Sequence, residues 1–212
     1  RLGDGVRVDY SPGVSIPARQ FSSIFEGPEH VRAPRIAVDD DSEILRAVGH
    51  AQRADVAILV LGEAQIMIGE NASRSSLDLP GRQQELLEAV IATGTPVVVL
   101  LMSARPLDLK GQEPQALMTI WYPGSQGGHA VANLLFGDVA PGGRLPFNWP
   151  RNIGQLPLPY AHLNSHAPHG AGTRYWNEPN TPLYPFGFGL GYASFAYAGL
   201  RVWRDTGIGP NG

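Results

Sequence analysis

Three short apolar runs constrain the fold of this chain more than any other feature. They span residues 55–61, 96–102 and 116–122, and beyond Asp55 the first run is uninterrupted. Such runs are typical of strands that are covered on both faces in a parallel sheet. A sheet of this kind needs helices on its faces, so the segments between the runs have to supply them.

Amphipathic segments alternate with the apolar runs and predict the covering helices. Residues 42–53 follow a cluster of candidate N-cap residues and place their apolar positions on one helix face. Residues 79–94 have Pro80 near the start and Gly94 at the end, as helices often do. Residues 125–136 predict a third helix. The order of elements indicates an α/β fold, a mainly parallel sheet flanked by helices, that is, an α/β sandwich.

The two ends of the chain are less regular. Residues 6–10 alternate as a short strand. Residues 137–190 are rich in Pro and Gly, which predicts an irregular C-terminal wrap, and a strand is expected near residues 194–202. We interpret residues 1–200 as one domain that continues from something upstream in a larger protein, and residues 201–212 as a tail or the start of a linker.

Charge and composition exclude several classes of partner. Lys+Arg 16 against Asp+Glu 19 gives a net charge of −3, and no segment clusters its basic residues, so neither nucleic acid nor an anionic membrane is expected to bind. Apolar runs of about seven residues are too short to cross a bilayer. The chain has no cysteine and therefore no disulfide or thiolate metal site. No Gly-x-Gly-x-x-Gly follows the first strand, and no cofactor is expected.

The loop at residues 62–74 follows the first apolar strand and is the main candidate site. Ligands of parallel α/β sheets bind beyond the carboxyl ends of the strands, and this loop carries Glu63, Glu70 and Arg74. A carboxylate here suits general acid/base catalysis, and a nearby arginine would set its orientation. The alternative is a solvated surface glutamate. Glycoside hydrolysis needs two carboxylates, and no comparable loop of this chain supplies the second.

Several motifs between about residue 54 and residue 195 carry a resemblance to a known family. They are Gly62-Glu63, Glu70-Asn-Ala-Ser-Arg74, the segment 77–90, Ser103-Ala-Arg-Pro106, Pro123-Gly-Ser-Gln-Gly-Gly128, Leu135-Phe-Gly-Asp138, Pro141-Gly-Gly-Arg-Leu-Pro146 and Pro185-Phe-Gly-Phe-Gly-Leu-Gly-Tyr192. In this order and spacing they resemble the second domain of glycoside hydrolase family 3, the β-glucosidases and β-xylosidases. The bacterial periplasmic β-glucosidase type looks most similar, which implies a periplasmic or secreted enzyme.

The resemblance implies a division of labour between two domains. An N-terminal (β/α)8 barrel of the same parent chain would supply the nucleophilic Asp, and this domain would supply the acid/base Glu from a loop. Many family members carry a Glu-Gly-x-Asp-Arg sequence at this place, which here implies Glu70 as the acid/base and Arg74 as its orienting partner. Asn71 and Ser73 depart from that pattern, and Glu63 is the alternative acid/base. The implied substrate is a terminal β-linked glucoside or an oligosaccharide, and the fragment alone would be inactive.

Other polar and aromatic residues have weaker functional interpretations. Tyr175 and Trp176 lie in a loop and are candidate sugar contacts, although aromatic residues mostly bury area. The histidines of the Pro/Gly-rich loop lack a metal-ligand spacing and are expected to brace the loop; they are His162, His166 and His169. Gly127-Gly128 at a helix start could bind an anion, but close packing is favoured. A non-catalytic carbohydrate-binding or scaffolding domain of the same fold remains the alternative function.

Overall fold

The computed structural model describes Gly3 and residues 5–17, 38–161 and 175–202. A three-stranded parallel sheet lies at its centre in the order β1-β2-β3, with β1 at Ala57–Gly62, β2 at Val97–Met102 and β3 at Ala116–Thr119. Helix α1 spans Asp40–Ala51, α2 spans Gln83–Ile91 and α3 spans Gly127–Leu135. The predicted α/β fold with a parallel sheet and flanking helices is therefore confirmed, with helix ends that differ from the prediction by a few residues.

The core lies between one face of the sheet and the first two helices. Leu87 and Val90 of α2 meet Val97, Val99 and Leu101 of β2, and none of these five side chains is more than 1% exposed. Alternate residues of β2 point to this face, as the two-residue period of a strand requires. Burial of apolar area at this face is the main term that stabilises the domain.

The opposite face of β1 is open, which corrects the prediction of a strand buried on both faces. Ile58 is 45% exposed and Val60 is 58% exposed. Helices α1 and α2 contact each other and α2 contacts β1. On the other side, Gly127, Gly128 and Val131 of α3 help to line a cleft of about 640 Å³. Val60 of β1 lines the same cleft, together with Gln65 and Ile68 of the loop that follows β1.

Three strand predictions are wrong: one strand is shorter than predicted, and two predicted strands do not form. Strand β3 ends at Thr119 rather than at Tyr122, because Trp121 turns the backbone out of strand geometry with a φ of 49°. Residues 6–10 and 194–202 form no strand. Their side chains are exposed and no described strand pairs with them, and a single strand gains no ladder hydrogen bonds.

The C-terminal wrap is irregular, as its glycines and prolines predict. Its described residues contain one 3-10 helix, Ile153–Gln155, and one isolated antiparallel bridge between Trp149 and Tyr184. Trp149 is 4% exposed and packs in the core, and its indole N–H donates to the Leu107 carbonyl at 3.2 Å. The predicted tail, except for residues 201 and 202, and the three loop histidines lie outside the described residues. Among the described residues, no helix is long and apolar enough to cross a membrane.

Candidate active site

The candidate site begins where β1 and β2 end side by side. Gly62 pairs with Met102 in the parallel register, so the residues that follow, Glu63 and Ser103, are neighbours in space. Gly62 has a φ of 139°, and a Cβ there would lie 2.1 Å from the Met102 carbonyl oxygen. Only glycine fits this place, because any side chain would collide with the backbone of the neighbouring strand.

Glutamine 83 holds the same strand end from the first turn of α2. The Gln83 side-chain amide donates to the Gly62 carbonyl at 2.9 Å, and its oxygen accepts from the Gly62 N–H at 2.7 Å. Both backbone groups of Gly62 are thereby satisfied by a single buried side chain. The path of the chain into the candidate loop is fixed at its first residue.

Glu63 is buried and fully paired. Its side chain has 0% exposure, and its Oε1 accepts from Arg105 at 2.5 Å and from Arg74 at 2.9 Å. The Ser103 hydroxyl lies 3.0 Å from the other carboxylate oxygen. A carboxylate enclosed in this way is paired with two cations and has no open side for a substrate.

The two arginines extend this network into the loop. Arg105 also donates to the carbonyls of Met67 and Ala72, and Arg74 donates to the carbonyl of Asp78 at 2.8 Å. Each arginine side chain remains 20% exposed. We refer to Glu63, Arg74, Ser103 and Arg105 as the strand-end network.

Tyr122 lies shortly after β3 and connects the end of that strand to Glu63. Its hydroxyl donates to the Glu63 backbone carbonyl at 2.9 Å. Burial raises the pKa of the Tyr122 phenol above its usual value, the Glu63 charge raises it further, and the Arg105 charge opposes the shift. The carboxyl ends of all three strands therefore meet at Glu63.

Glu70 has the opposite surroundings. It is exposed at the tip of the loop between Gly69, with a φ of 88°, and Asn71, with a φ of 58°. No hydrogen bond or ion pair reaches its carboxylate from the part of the chain that the structure describes. Asn tolerates the left-handed conformation better than most residues, so Asn71 can replace the Gly of the family pattern. Nothing in the structure explains Ser73 in place of Asp.

The structure thus brings together only some of the residues singled out in the sequence. Arg74 contacts Glu63 and Asp78; the expected ion pair of Arg74 with Glu70 does not occur among the described residues, because the buried carboxylate competes for the guanidinium. Tyr175 is half-buried and Trp176 is fully exposed, and neither belongs to the strand-end network. In the described part of the chain, no cluster of three or more His, Cys, Asp or Glu side chains could hold a metal ion.

Sequence reasoning missed Arg105, Ser103, Tyr122 and Gln83. A signal was available for two of them. The motif Ser103-Ala-Arg-Pro106 directly follows the second apolar strand, and the carboxyl ends of neighbouring parallel strands lie at one edge of the sheet. Close packing was predicted for Gly127-Gly128 and holds for Gly127, where a Cβ would lie 2.5 Å from Pro123, but not for Gly128, where nothing lies within 4 Å of an added Cβ.

Comparison with known proteins identifies relatives over nearly the whole chain. The periplasmic beta-glucosidase of Salmonella typhimurium is 38% identical over 219 residues, which cover 97% of this chain and 28% of that protein. A beta-xylosidase of Formosa agariphila is 37% identical and covers 100% of this chain and 27% of its own length. The chain thus spans little more than a quarter of the length of these relatives.

A solved structure agrees with these matches. A β-glucosidase from Erythrobacter marinus superimposes with a TM-score of 0.70 at 36% sequence identity, covering 92% of this chain and 27% of that one. Residues 7–192 match the glycosyl hydrolase family 3 C-terminal domain. The chain therefore belongs to glycoside hydrolase family 3, as a C-terminal domain of that family.

Proposed function

We propose that this chain is the acid/base-donating domain of a longer, retaining β-glycosidase that hydrolyses terminal β-linked glucosyl residues. The observation that carries the proposal is the contrast between its two loop carboxylates. Glu63 is enclosed by two arginines, whereas Glu70 projects from the loop tip without a partner in the described residues. Of the two, Glu70 is the one that can reach a substrate bound outside this domain.

The second carboxylate of the reaction would come from elsewhere in the parent protein. Relatives are more than three times as long as this chain, given that it covers 28% and 27% of them. An N-terminal (β/α)8 barrel in that remaining length would carry the nucleophilic Asp, in keeping with the family resemblance. Retaining glycosidases hold the two carboxyl groups roughly 5 to 5.5 Å apart.

Both steps of the reaction use Glu70. In the first step the protonated Glu70 gives its proton to the glycosidic oxygen as the bond to the anomeric carbon breaks, while the Asp carboxylate attacks that carbon and forms a glycosyl ester. In the second step the Glu70 carboxylate takes a proton from water, the water oxygen attacks the anomeric carbon, and the Asp leaves. The exposed Trp176 and its neighbour Tyr175 are proposed to stack on the sugar or its aglycone.

The name of the Salmonella relative supports a periplasmic or secreted location for the parent protein. The lack of cysteine in this chain leaves both a reducing and an oxidising compartment open. Location of the expressed protein after cell fractionation would test this part of the proposal.

Hydrolysis of an aryl β-glucoside by the full-length protein tests the role of Glu70. We expect Glu70→Ala to lower turnover by about 100-fold to 10,000-fold, the usual contribution of a general acid/base. Added azide should restore part of the turnover and yield a β-glycosyl azide, because azide attacks the glycosyl ester without needing a base. Glu113→Ala, which removes another exposed loop glutamate, is the matched control and should leave turnover unchanged.

Unchanged turnover of Glu70→Ala would contradict the proposal. The remaining interpretation would then be a scaffolding or carbohydrate-binding domain. Measurable affinity of the full-length Glu70→Ala protein for glucose would not decide between these functions, so turnover and the azide product are the measurements that count.

A further inference from the structure

The Arg105 side chain donates hydrogen bonds to the candidate loop on both sides of its tip. Its guanidinium donates to the carbonyl of Met67, three residues before Glu70, and to the carbonyl of Ala72, two residues after it. The loop contains one short 3-10 helix, Gln65–Met67, ahead of its tip, and loops are usually more mobile than the strands and helices they connect. Here one planar side chain holds both arms of the loop through backbone acceptors, which removes freedom from the tip without touching it.

Glu63 is what keeps Arg105 in place. The same Nη1 of Arg105 that reaches Met67 also donates to Glu63 Oε1 at 2.5 Å, and Arg74 shares that oxygen at 2.9 Å. Each of the two arginine side chains is 20% exposed, and a cation withdrawn from water to this degree needs a counter-charge. Neutralising Glu63 would leave two cations side by side, and they would turn toward solvent.

Glu63 itself contacts no reactant, because its side chain has 0% exposure. Its effect on the reaction would pass through Arg105 to the backbone on either side of Glu70. Proton transfer is sensitive to this kind of displacement, since a shift of about 1 Å in a catalytic group costs about 100-fold in rate.

We infer that Glu63 and Arg105 are positioning residues that hold Glu70 where it can protonate the leaving group. This inference rests on the proposed acid/base role of Glu70. It also accounts for the two carboxylates in one loop: the buried one fixes the loop and the exposed one reacts. A purely structural role for Glu63 would affect every substrate alike, whereas a positioning role affects the substrates that need a proton.

The test compares two β-glucosides with the full-length protein, one with phenol and one with 2,4-dinitrophenol as leaving group. Phenol needs protonation to leave and dinitrophenol does not. We expect Glu63→Gln to lower kcat/KM for the phenyl glucoside by about 100-fold and that for the dinitrophenyl glucoside by less than about 3-fold. Glu70→Ala should show the same selectivity with a larger loss, as removal of a general acid does.

The double variant Glu63→Gln/Glu70→Ala tests whether the two residues act through one route. Its kcat/KM for the phenyl glucoside should equal that of Glu70→Ala within about 3-fold, because a positioning residue contributes nothing once the group it positions is gone. Leu87→Ala, a cavity variant in the core of α2 outside the strand-end network, is the control for lost stability. It should lower activity on both glucosides by the same factor.

An equal loss on both glucosides in Glu63→Gln, or a double variant clearly worse than Glu70→Ala, would overturn the inference while leaving the role of Glu70 intact. Absence of leaving-group selectivity in Glu70→Ala would instead remove the proposed function, and this inference with it. Should Glu63→Gln fail to fold, Arg105→Lys answers the same question. Lysine at this position keeps a positive charge beside Glu63, but it lacks the planar guanidinium that donates to the Met67 and Ala72 carbonyls. The same selectivity for the phenyl over the dinitrophenyl leaving group is therefore expected.

Discussion

Arg105 and Glu63 form an ion pair at 2.5 Å although 42 residues separate them in the sequence. Each is among the first residues after a strand of the parallel sheet, and the pairing of Gly62 with Met102 brings the two strand ends together. The pair lies at the start of the loop that carries Glu70.

Gly62→Ala should prevent the domain from folding or destabilise it by about 4 kcal/mol or more, the range of severe single substitutions. The added Cβ would lie 2.1 Å from the Met102 carbonyl oxygen, and both atoms belong to paired strands that cannot move apart cheaply. Gly94→Ala is the matched control: its φ of 79° is also positive, but nothing lies within 4 Å of the added Cβ. The control should cost about 1–2 kcal/mol. Urea unfolding of the chain measures the loss of stability in both variants. Equal losses would contradict a collision of the Cβ at residue 62 with the neighbouring strand.

Gln83→Met should destabilise the chain by about 2 kcal/mol, because it leaves the N–H and C=O of Gly62 without their buried partner. Hydrogen exchange of the Gly62 amide should accelerate at the same time. Gln84→Met, one residue further along the same helix, removes contacts to Glu88 and Leu109 instead. Gly62 should keep its exchange rate in that control; faster exchange in both variants would point to fraying of the helix rather than to loss of the hydrogen bonds between Gln83 and Gly62.

High pH should weaken the fold through Tyr122. Its pKa is raised in the folded chain, first by burial and then by the Glu63 charge, so the unfolded chain loses this proton at a lower pH than the folded one. The stability contributed by the protonated phenol is complete below the usual tyrosine pKa of about 10 and is lost as the pH rises through the folded pKa.

Tyr122→Phe isolates this contribution. The variant should be less stable than the wild type at pH 8, where it lacks the hydrogen bond to the Glu63 carbonyl, and the difference should shrink above pH 10. Thermal unfolding midpoints at a series of pH values provide the measurement. A difference between the two proteins that stays constant across pH 8 to 11 would show that Tyr122 does not titrate as described.

Asn71 should accept glycine but not valine. Its φ of 58° lies in the left-handed region, which glycine enters freely and β-branched residues avoid at a cost of about 1–2 kcal/mol. Asn71→Gly, which recreates the family pattern, should preserve kcat/KM of the full-length protein for a phenyl glucoside. Asn71→Val should lower it by distorting the tip beside Glu70. Equal activity of both variants would mean that the conformation at residue 71 does not matter to the loop.

Local patterns determined the elements of this protein. Apolar runs near residues 55–61 and 96–102 became β1 and β2, and amphipathic segments became α1 and α2, because side-chain periodicity and helix punctuation act over a few residues. The loop at residues 62–74 was also identifiable from sequence, since parallel sheets place their sites beyond the strand ends. Where pairing partners decide the outcome, as at residues 6–10 and 194–202, alternation alone predicted strands that did not form.

Only the tertiary structure decided the surroundings of each carboxylate of the loop. Glu63 and Glu70 are identical residue types seven positions apart in the sequence, and Arg74 is nearer to Glu70 along the chain. The fold places Arg105 from the next strand end against Glu63, draws Arg74 to the same oxygen, and buries the carboxylate completely. Glu70 stays in solvent at the tip. Burial and charge pairing depend on neighbours that come from distant parts of the chain, and no local pattern in the sequence contains them.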